Sequence, residues 1–206
     1  MIPVDFILPL SMTMALTGFG LAAYWYVLPA LLRLDVHDAL VPLVLPHCFR
    51  YLGLSFLIAG VTTEPLDPRF AFPAAYGDLV AALLAFAAVF ALRLRWSGAL
   101  PLVLLFNVVG TLDFVDALVR GLIYVPPSHM GSTYFIPMII VPFLAVTHVI
   151  IFVVLARRRQ WIVAARGPRR PEPLRPLPAD PARGLQGPAA RLDSPAESVE
   201  TDCRED

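Results

Sequence analysis

The chain has 206 residues, of which 58% are hydrophobic and 16% are charged, and its mean hydropathy is +0.70. Soluble domains average about 45–50% apolar and about 25% charged residues, so this composition excludes an ordinary soluble domain. The charges are segregated, because ten of the sixteen arginines lie at or beyond Arg157 and the chain has no lysine. The net charge of zero and the lack of a concentrated basic face give no reason to expect a nucleic-acid partner.

Long apolar segments predict an all-α, polytopic transmembrane bundle of about five helices in a lipid bilayer. A membrane-crossing helix needs about 20 largely apolar residues. The apolar runs are continuous rather than alternating, which excludes barrel strands. The third segment has the shortest uncharged core, so a re-entrant or interfacial segment is the alternative there. The bundle is predicted to occupy residues 1–165, with spans at about 6–32, 39–61, 73–95, 98–124 and 134–156.

The arginines of the short loops predict the orientation of the bundle. Arg33, Arg93, Arg95 and the cluster at 157–159 fall on one side of the membrane, whereas the connecting loops on the other side carry only Arg69. Because short cytoplasmic loops are enriched in basic residues, the arginine-rich side should be cytoplasmic. The N-terminus is then outside and the C-terminus cytoplasmic, which requires an odd number of crossings, and five satisfies it.

Residues 166–206 differ completely from the apolar body. They contain eight prolines in 41 residues, with mixed arginines and acids. Such a composition cannot bury enough apolar area to fold. We therefore predict a disordered, Pro/Arg-rich cytoplasmic tail, and a protein partner, if there is one, is expected to bind there.

Polar side chains within the spans are the first functional candidates, because they are costly at membrane depth. Counting about 1.5 Å per residue from the cytoplasmic helix ends places Tyr24, His47, Asn107 and His148 at one depth on four different helices. This coincidence predicts a buried polar layer that binds or passes a small molecule or a proton. For the two histidines, the alternative is a neutral ring hydrogen-bonded across helices.

A second set of polar residues consists of charged side chains farther from the cytoplasmic ends. Asp113, Asp116 and Arg120 lie at i, i+3 and i+7, on one face of the fourth helix. Asp116 and Arg120 are in the favourable acid-first i,i+4 order. Arg50 lies within about 5 Å of the depth of Asp113. We expect intramembrane ion pairs Arg50–Asp113 and Asp116–Arg120, with either a substrate or proton role or a purely structural one.

Cofactor and catalytic chemistry have little support in the sequence. His47 and His148 would form a b-type haem electron carrier if both rings faced one iron. No other cofactor or metal is expected, since Cys48 and Cys203 fall in different compartments. No P-loop, GxSxG, HExxH or CxxC motif occurs, so no catalytic residue is predicted and a protein that is not an enzyme is favoured. A structural or accessory membrane subunit is the remaining alternative.

Three segments resemble stretches of uncharacterised bacterial multi-pass inner-membrane proteins. They are HCFRYLGL at 47–54, PAAYGDL at 73–79 and VPFLAVTH at 141–148. The segment RYLGLSFLIAG at 50–60 is also loosely similar to the DoxX-like membrane family. The resemblance implies a bacterial inner-membrane location and assigns no catalytic residue.

Overall fold

The computed structural model describes residues 4–165, with side chains from 6 to 157. Within this range, five helices are long and apolar enough to cross a membrane and no β-strand is formed, which confirms the predicted all-α bundle. The predicted tail, residues 166–206, lies outside the described residues. We name the five helices α1 to α5: Phe6–Leu31, Val36–Leu57, Pro68–Arg93, Ala99–Tyr124 and Gly131–Arg157.

Helix α3 begins at Pro68, earlier than the predicted start at residue 73. The Asp67 carboxylate caps it by accepting a hydrogen bond from the backbone N–H of Arg69 at 2.8 Å. Proline suits the first turn, where its missing N–H would have no helical partner. The Arg69 side chain also donates to the Asp67 carboxylate, and these hydrogen bonds lower the pKa of Asp67 to about 2. With this start, α3 is as long as α4, at 26 residues each.

Helix α2 changes geometry halfway along its length. It is α-helical at Val36–Val44 and 3-10 helical at Leu45–Leu57. Pro42 and Pro46 each remove a backbone N–H that an α-helix would use. A 3-10 helix rises about 2.0 Å per residue, so fewer residues cross the same thickness, and α2 ends at Leu57 rather than at residue 61. Its three residues per turn align every third side chain on one buried face: His47, Arg50, Gly53 and Phe56.

The helices pack through small side chains and two apolar clusters. Helix α3 lies against α2 and α4, while α5 contacts α1, α2 and α4. Buried alanines along α3 let the neighbouring backbones approach closely: Ala74, Ala75, Ala81, Ala82, Ala85 and Ala88. The tail-end cluster lies where α3 and α5 end and includes Leu40, Val44, Leu92, Val103 and Ile151. The far-end cluster lies at the opposite end and includes Phe56, Leu66, Phe70, Ala71 and Ala74.

Loop contacts close both ends of the bundle. At the tail end, the Arg95 guanidinium donates to Asp38 at 2.9 Å and to Asp35 at 3.3 Å, which ties the start of α2 to the α3–α4 loop. At the far end, Ser132 donates its backbone N–H to the Val61 carbonyl at 2.9 Å. On each predicted side of the membrane, a contact between a loop and the first turn of a helix thus holds the chain together.

Two exposed serines on either side of α4, one just before it and one at the start of α5, test the predicted orientation. In a Cys48→Ala, Cys203→Ser background, we expect Ser132→Cys to react with a membrane-impermeant maleimide in intact cells. Ser97→Cys should react only after permeabilisation, because the arginine distribution places it on the cytoplasmic side. A gel shift with a large maleimide reads both reactions. The reverse pattern would contradict the orientation, and external labelling of both cysteines would contradict a membrane-crossing α4.

Candidate functional site

Arg50 lies in the middle of the bundle and is only 6% exposed. Its Nε donates to Asp78 Oδ1 at 2.7 Å, and its Nη2 donates to Asp113 Oδ2 at 2.5 Å. Its Nη1 donates to the Gly110 carbonyl oxygen at 3.1 Å. One side chain of α2 therefore binds both α3 and α4. We call Arg50, Asp78 and Asp113 the ion cluster.

The Arg50–Asp113 contact was expected from the sequence, but Asp78 was not among the predicted site residues. A helix starting at residue 73 would place Asp78 near the membrane surface. Since α3 starts at Pro68, Asp78 lies farther inside, and its side chain is 19% exposed.

Glycines make room for both carboxylates of the ion cluster. A Cβ added to Gly53 would collide with the Asp78 carboxylate, and one added to Gly77 would collide with the Asp113 carboxylate. Two sequence signals could have indicated this packing. Gly53 lies three residues after Arg50, and Gly77 directly precedes Asp78.

The tautomer of His47 follows from its partner. The ring is fully buried, and its Nε2 lies 2.9 Å from Thr147 Oγ1. The Thr147 hydroxyl donates its single hydrogen to the Leu144 carbonyl oxygen at 2.8 Å. Thr147 Oγ1 must therefore accept a hydrogen bond from His47, which places the ring proton on Nε2 and leaves Nδ1 unprotonated.

The tautomer of His148 follows in the same way. Asn107 Nδ2 donates to the His148 carbonyl oxygen at 3.2 Å, so the Asn107 Oδ1 faces the ring and accepts from His148 Nδ1 at 2.7 Å. His148 Nε2 is then unprotonated. Within the described residues, neither His47 Nδ1 nor His148 Nε2 has a hydrogen-bond partner. The polar layer thus presents two buried acceptors without a donor.

The polar layer and the ion cluster meet at Gly110. A Cβ on Gly110 would lie 3.0 Å from Arg50 Nη1 and 3.2 Å from His148 Nε2. The unprotonated Nε2 of His148 and the Arg50 guanidinium therefore both lie next to Gly110 of α4. The histidines and the ion cluster form one continuous polar centre between the two apolar clusters.

Tyr24 does not belong to this centre, which corrects the prediction that placed it there. Its side chain is 70% exposed on the outside of α1, whereas the adjacent Ala23 is buried. Depth along a helix does not determine which face a residue occupies. The π-helical turn Ala23–Val27 changes that face further.

The predicted Asp116–Arg120 contact is present but separate from the ion cluster. Arg120 Nε donates to Asp116 Oδ2 at 2.6 Å, and its Nη1 donates to the Arg69 carbonyl oxygen at 3.1 Å. Both side chains of the pair are more than a third exposed. They join the far ends of α3 and α4 instead of lining the polar centre.

The histidine rings are packed too closely to hold a haem between them. Their centroids are 4.3 Å apart, which is direct ring contact. Two haem ligands place the iron and the porphyrin plane between their rings, with the ligating nitrogens roughly 4 Å apart and the centroids farther apart still. Haem ligation by His47 and His148 would require the two rings to separate.

An apolar cavity of about 280 Å³ adjoins the ion cluster on the side facing the far-end cluster. Its walls come from α1, α2, α3, α4 and the start of α5, and Arg50 and Asp78 are the charged residues among its described lining. The apolar lining includes Leu8, Met12, Phe56, Phe70, Ala74, Phe114, Ala117, Met130 and Ile136. The cavity therefore has apolar walls and a charged floor.

Replacing Gly77 tests the close contact between α3 and the ion cluster. Alanine is the better helix former by roughly 0.5–1 kcal/mol. The collision with the Asp113 carboxylate should outweigh this gain, and we expect Gly77→Ala to lose about 1–3 kcal/mol of stability. Gly18→Ala is the matched control, because nothing lies within 4 Å of its added Cβ. Equal thermal midpoints for the two variants in detergent would contradict the described packing.

Histidine labelling with ¹⁵N tests the two tautomers. The chain has four histidines, so His37→Gln and His129→Gln leave only the signals of the polar layer. Solid-state NMR in lipid at neutral pH should show the proton on Nε2 of His47 and on Nδ1 of His148. The opposite tautomer at either ring would refute the hydrogen-bond assignment.

Comparison with curated proteins and with solved structures gave no match. Residues 7–156 match the model of a family described as "Domain of unknown function (DUF8737)". The matched segment runs from α1 into α5 and includes the ion cluster, both buried histidines and the cavity walls. Neither the DoxX-like similarity nor a bacterial origin is part of that match. Since the match covers more than half of the chain, the protein belongs to the family of the domain of unknown function DUF8737.

Proposed function

We propose that this multi-pass membrane protein binds a small, mostly apolar molecule in the cavity, with the polar head group of the molecule against the ion cluster. The observation that carries the proposal is the charged floor, Arg50 and Asp78, under apolar walls. Ligand pockets are typically apolar with a few placed polar groups. The volume of about 280 Å³ lies at the small end of such pockets, which favours a small ligand.

The buried charges support ligand binding over a purely structural role. Ionisable residues inside a membrane are costly and are usually found where a substrate or ion binds. Well-packed apolar residues can join helices as well as a buried ion pair does, so helix packing alone does not require these charges. A purely structural ion pair also needs no cavity beside it. Here the Asp78 side chain is 19% exposed and is one of the residues that line the apolar cavity. This arrangement is expected of a group that contacts a ligand.

The cellular setting is part of the same proposal. The arginine distribution supports a C-terminus in the cytoplasm. The three segments that resemble bacterial multi-pass proteins support the inner membrane of a bacterium. The proposed role is binding or carrying a small molecule and includes no catalytic step.

Photo-crosslinking tests whether the cavity is the binding site. The probe is decanol with a diazirine near the end of its chain, added to the protein in nanodiscs, and the labelled peptides are mapped by mass spectrometry. We expect labelling of α4 cavity residues away from the ion cluster, such as Gly121, and competition by excess decanol. Ala117→Phe should abolish this labelling, because Ala117 lines the cavity.

Val119→Phe is the matched control, since Val119 is exposed on the same helix and lies outside the cavity lining. It should leave the labelling unchanged. Labelling that is equal in both variants, or that falls only on outward-facing residues such as Leu112, would mean that the probe reacts from the lipid. That result would refute the proposed cavity site.

A further inference from the structure

The charge of the ion cluster restricts what the cavity can bind. One guanidinium faces two carboxylates, so the formal sum with both aspartates ionised is one negative charge. An uncompensated charge is costly in a low-dielectric, membrane-embedded site. The cluster therefore needs one further positive charge.

Neighbouring elements do not supply that charge. Helix α1 has no charged side chain between residues 6 and 31, and the one titratable side chain that α5 brings to the centre is His148, whose Nδ1 is held by Asn107. Protonating His47 or His148 would place a second positive charge beside the Arg50 guanidinium. Asp116 already pairs with Arg120. The missing charge therefore has to sit on the carboxylates themselves.

Each carboxylate has one oxygen that packs against a glycine, Gly53 or Gly77, and carries no hydrogen bond from Arg50. Asp78 uses Oδ1 and Asp113 uses Oδ2 to accept from Arg50, and their other oxygens make no hydrogen bond to described residues. Without a ligand, a proton on one of these oxygens neutralises the cluster. A ligand cation reaching Asp78 from the cavity would provide the same charge, and an anionic head would add to the excess.

We propose that the cavity takes a small cationic amphiphile, an alkyl ammonium or similar, and that its head group replaces a proton on the Asp78–Asp113 carboxylates. The inference rests on the proposed function and specifies the ligand class. Binding is an exchange, because one positive charge enters and one carboxyl proton leaves to water, so the cluster stays neutral in both states. The Arg50 guanidinium remains in place and keeps the two carboxylates together.

Titration calorimetry in nanodiscs, with decylamine and decanol as probes of equal chain length, tests the exchange. An alkylamine stays protonated near pH 7, since its pKa is close to that of lysine, about 10.4. The titrations are repeated in phosphate and in Tris, which differ in protonation enthalpy. The difference between the two binding heats gives the number of protons released. We expect about one proton per bound decylamine and none for decanol. Release of one proton makes the decylamine affinity fall about tenfold for each pH unit lowered.

Variants assign the exchange to the ion cluster. Asp78→Asn should abolish proton release and remove the preference for the amine, and Asp113→Asn serves as a second variant if the first does not fold. Asp116→Asn is the matched control and should behave as the wild type, because Asp116 lies outside the cavity lining. Empty nanodiscs and the Ala117→Phe protein correct for partition into lipid.

The outcomes separate the two proposals. Equal binding of both probes without proton release would overturn the exchange and leave the proposed cavity function standing. Binding of neither probe would overturn the proposed function and the exchange with it. Proton release that persists in both Asp78→Asn and Asp113→Asn would overturn the assignment to the ion cluster.

Discussion

The Arg50 guanidinium is buried inside the bundle, where it holds Asp78 of α3 together with Asp113 and the Gly110 carbonyl of α4. A buried ion pair stabilises a protein only if its geometry and additional hydrogen bonds repay the desolvation of both charges. This requirement sets the spacing of three helices. It also explains why the polar centre lies between two apolar clusters instead of being spread through the bundle.

The backbone of α2 and two glycines make this arrangement available. The 3-10 turns of Leu45–Leu57 keep the whole series from His47 to Phe56 on one buried face. In an α-helix, with 3.6 residues per turn, the two ends of that series would lie on about opposite faces. Gly53 and Gly77 let the carboxylates lie directly against a helix backbone. Long 3-10 segments are uncommon because their hydrogen-bond geometry is poor. The contacts of the ion cluster and the histidines stabilise one here, and the same packing leaves the cavity beside Asp78.

Much of this structure follows from apolar run length and from the cost of buried charge. Those two rules predicted the five helices and suggested that Arg50 would meet Asp113 and that His47 would share a depth with His148. They could not indicate Asp78, because its depth depends on the helix start that Asp67 and Pro68 determine. They also misplaced Tyr24, since equal depth does not define a helix face. The 3-10 geometry has only the prolines 42 and 46 as a sequence signal, and that signal does not distinguish it from an ordinary kink.

The central claim is that charge compensation at Arg50 holds the bundle together, and a comparison of neutral variants tests it most directly. Arg50→Gln alone removes the guanidinium that compensates the Asp78–Asp113 carboxylates and should cost about 3–5 kcal/mol. The triple variant Arg50→Gln, Asp78→Asn, Asp113→Asn should recover most of this loss, because its amides pair without charge. Arg120→Gln, which breaks an exposed pair, should cost about 0–1 kcal/mol. Unfolding by steric trapping in bicelles measures all three. Arg50→Gln protein as stable as the wild type, or a triple variant no more stable than Arg50→Gln, would contradict the account.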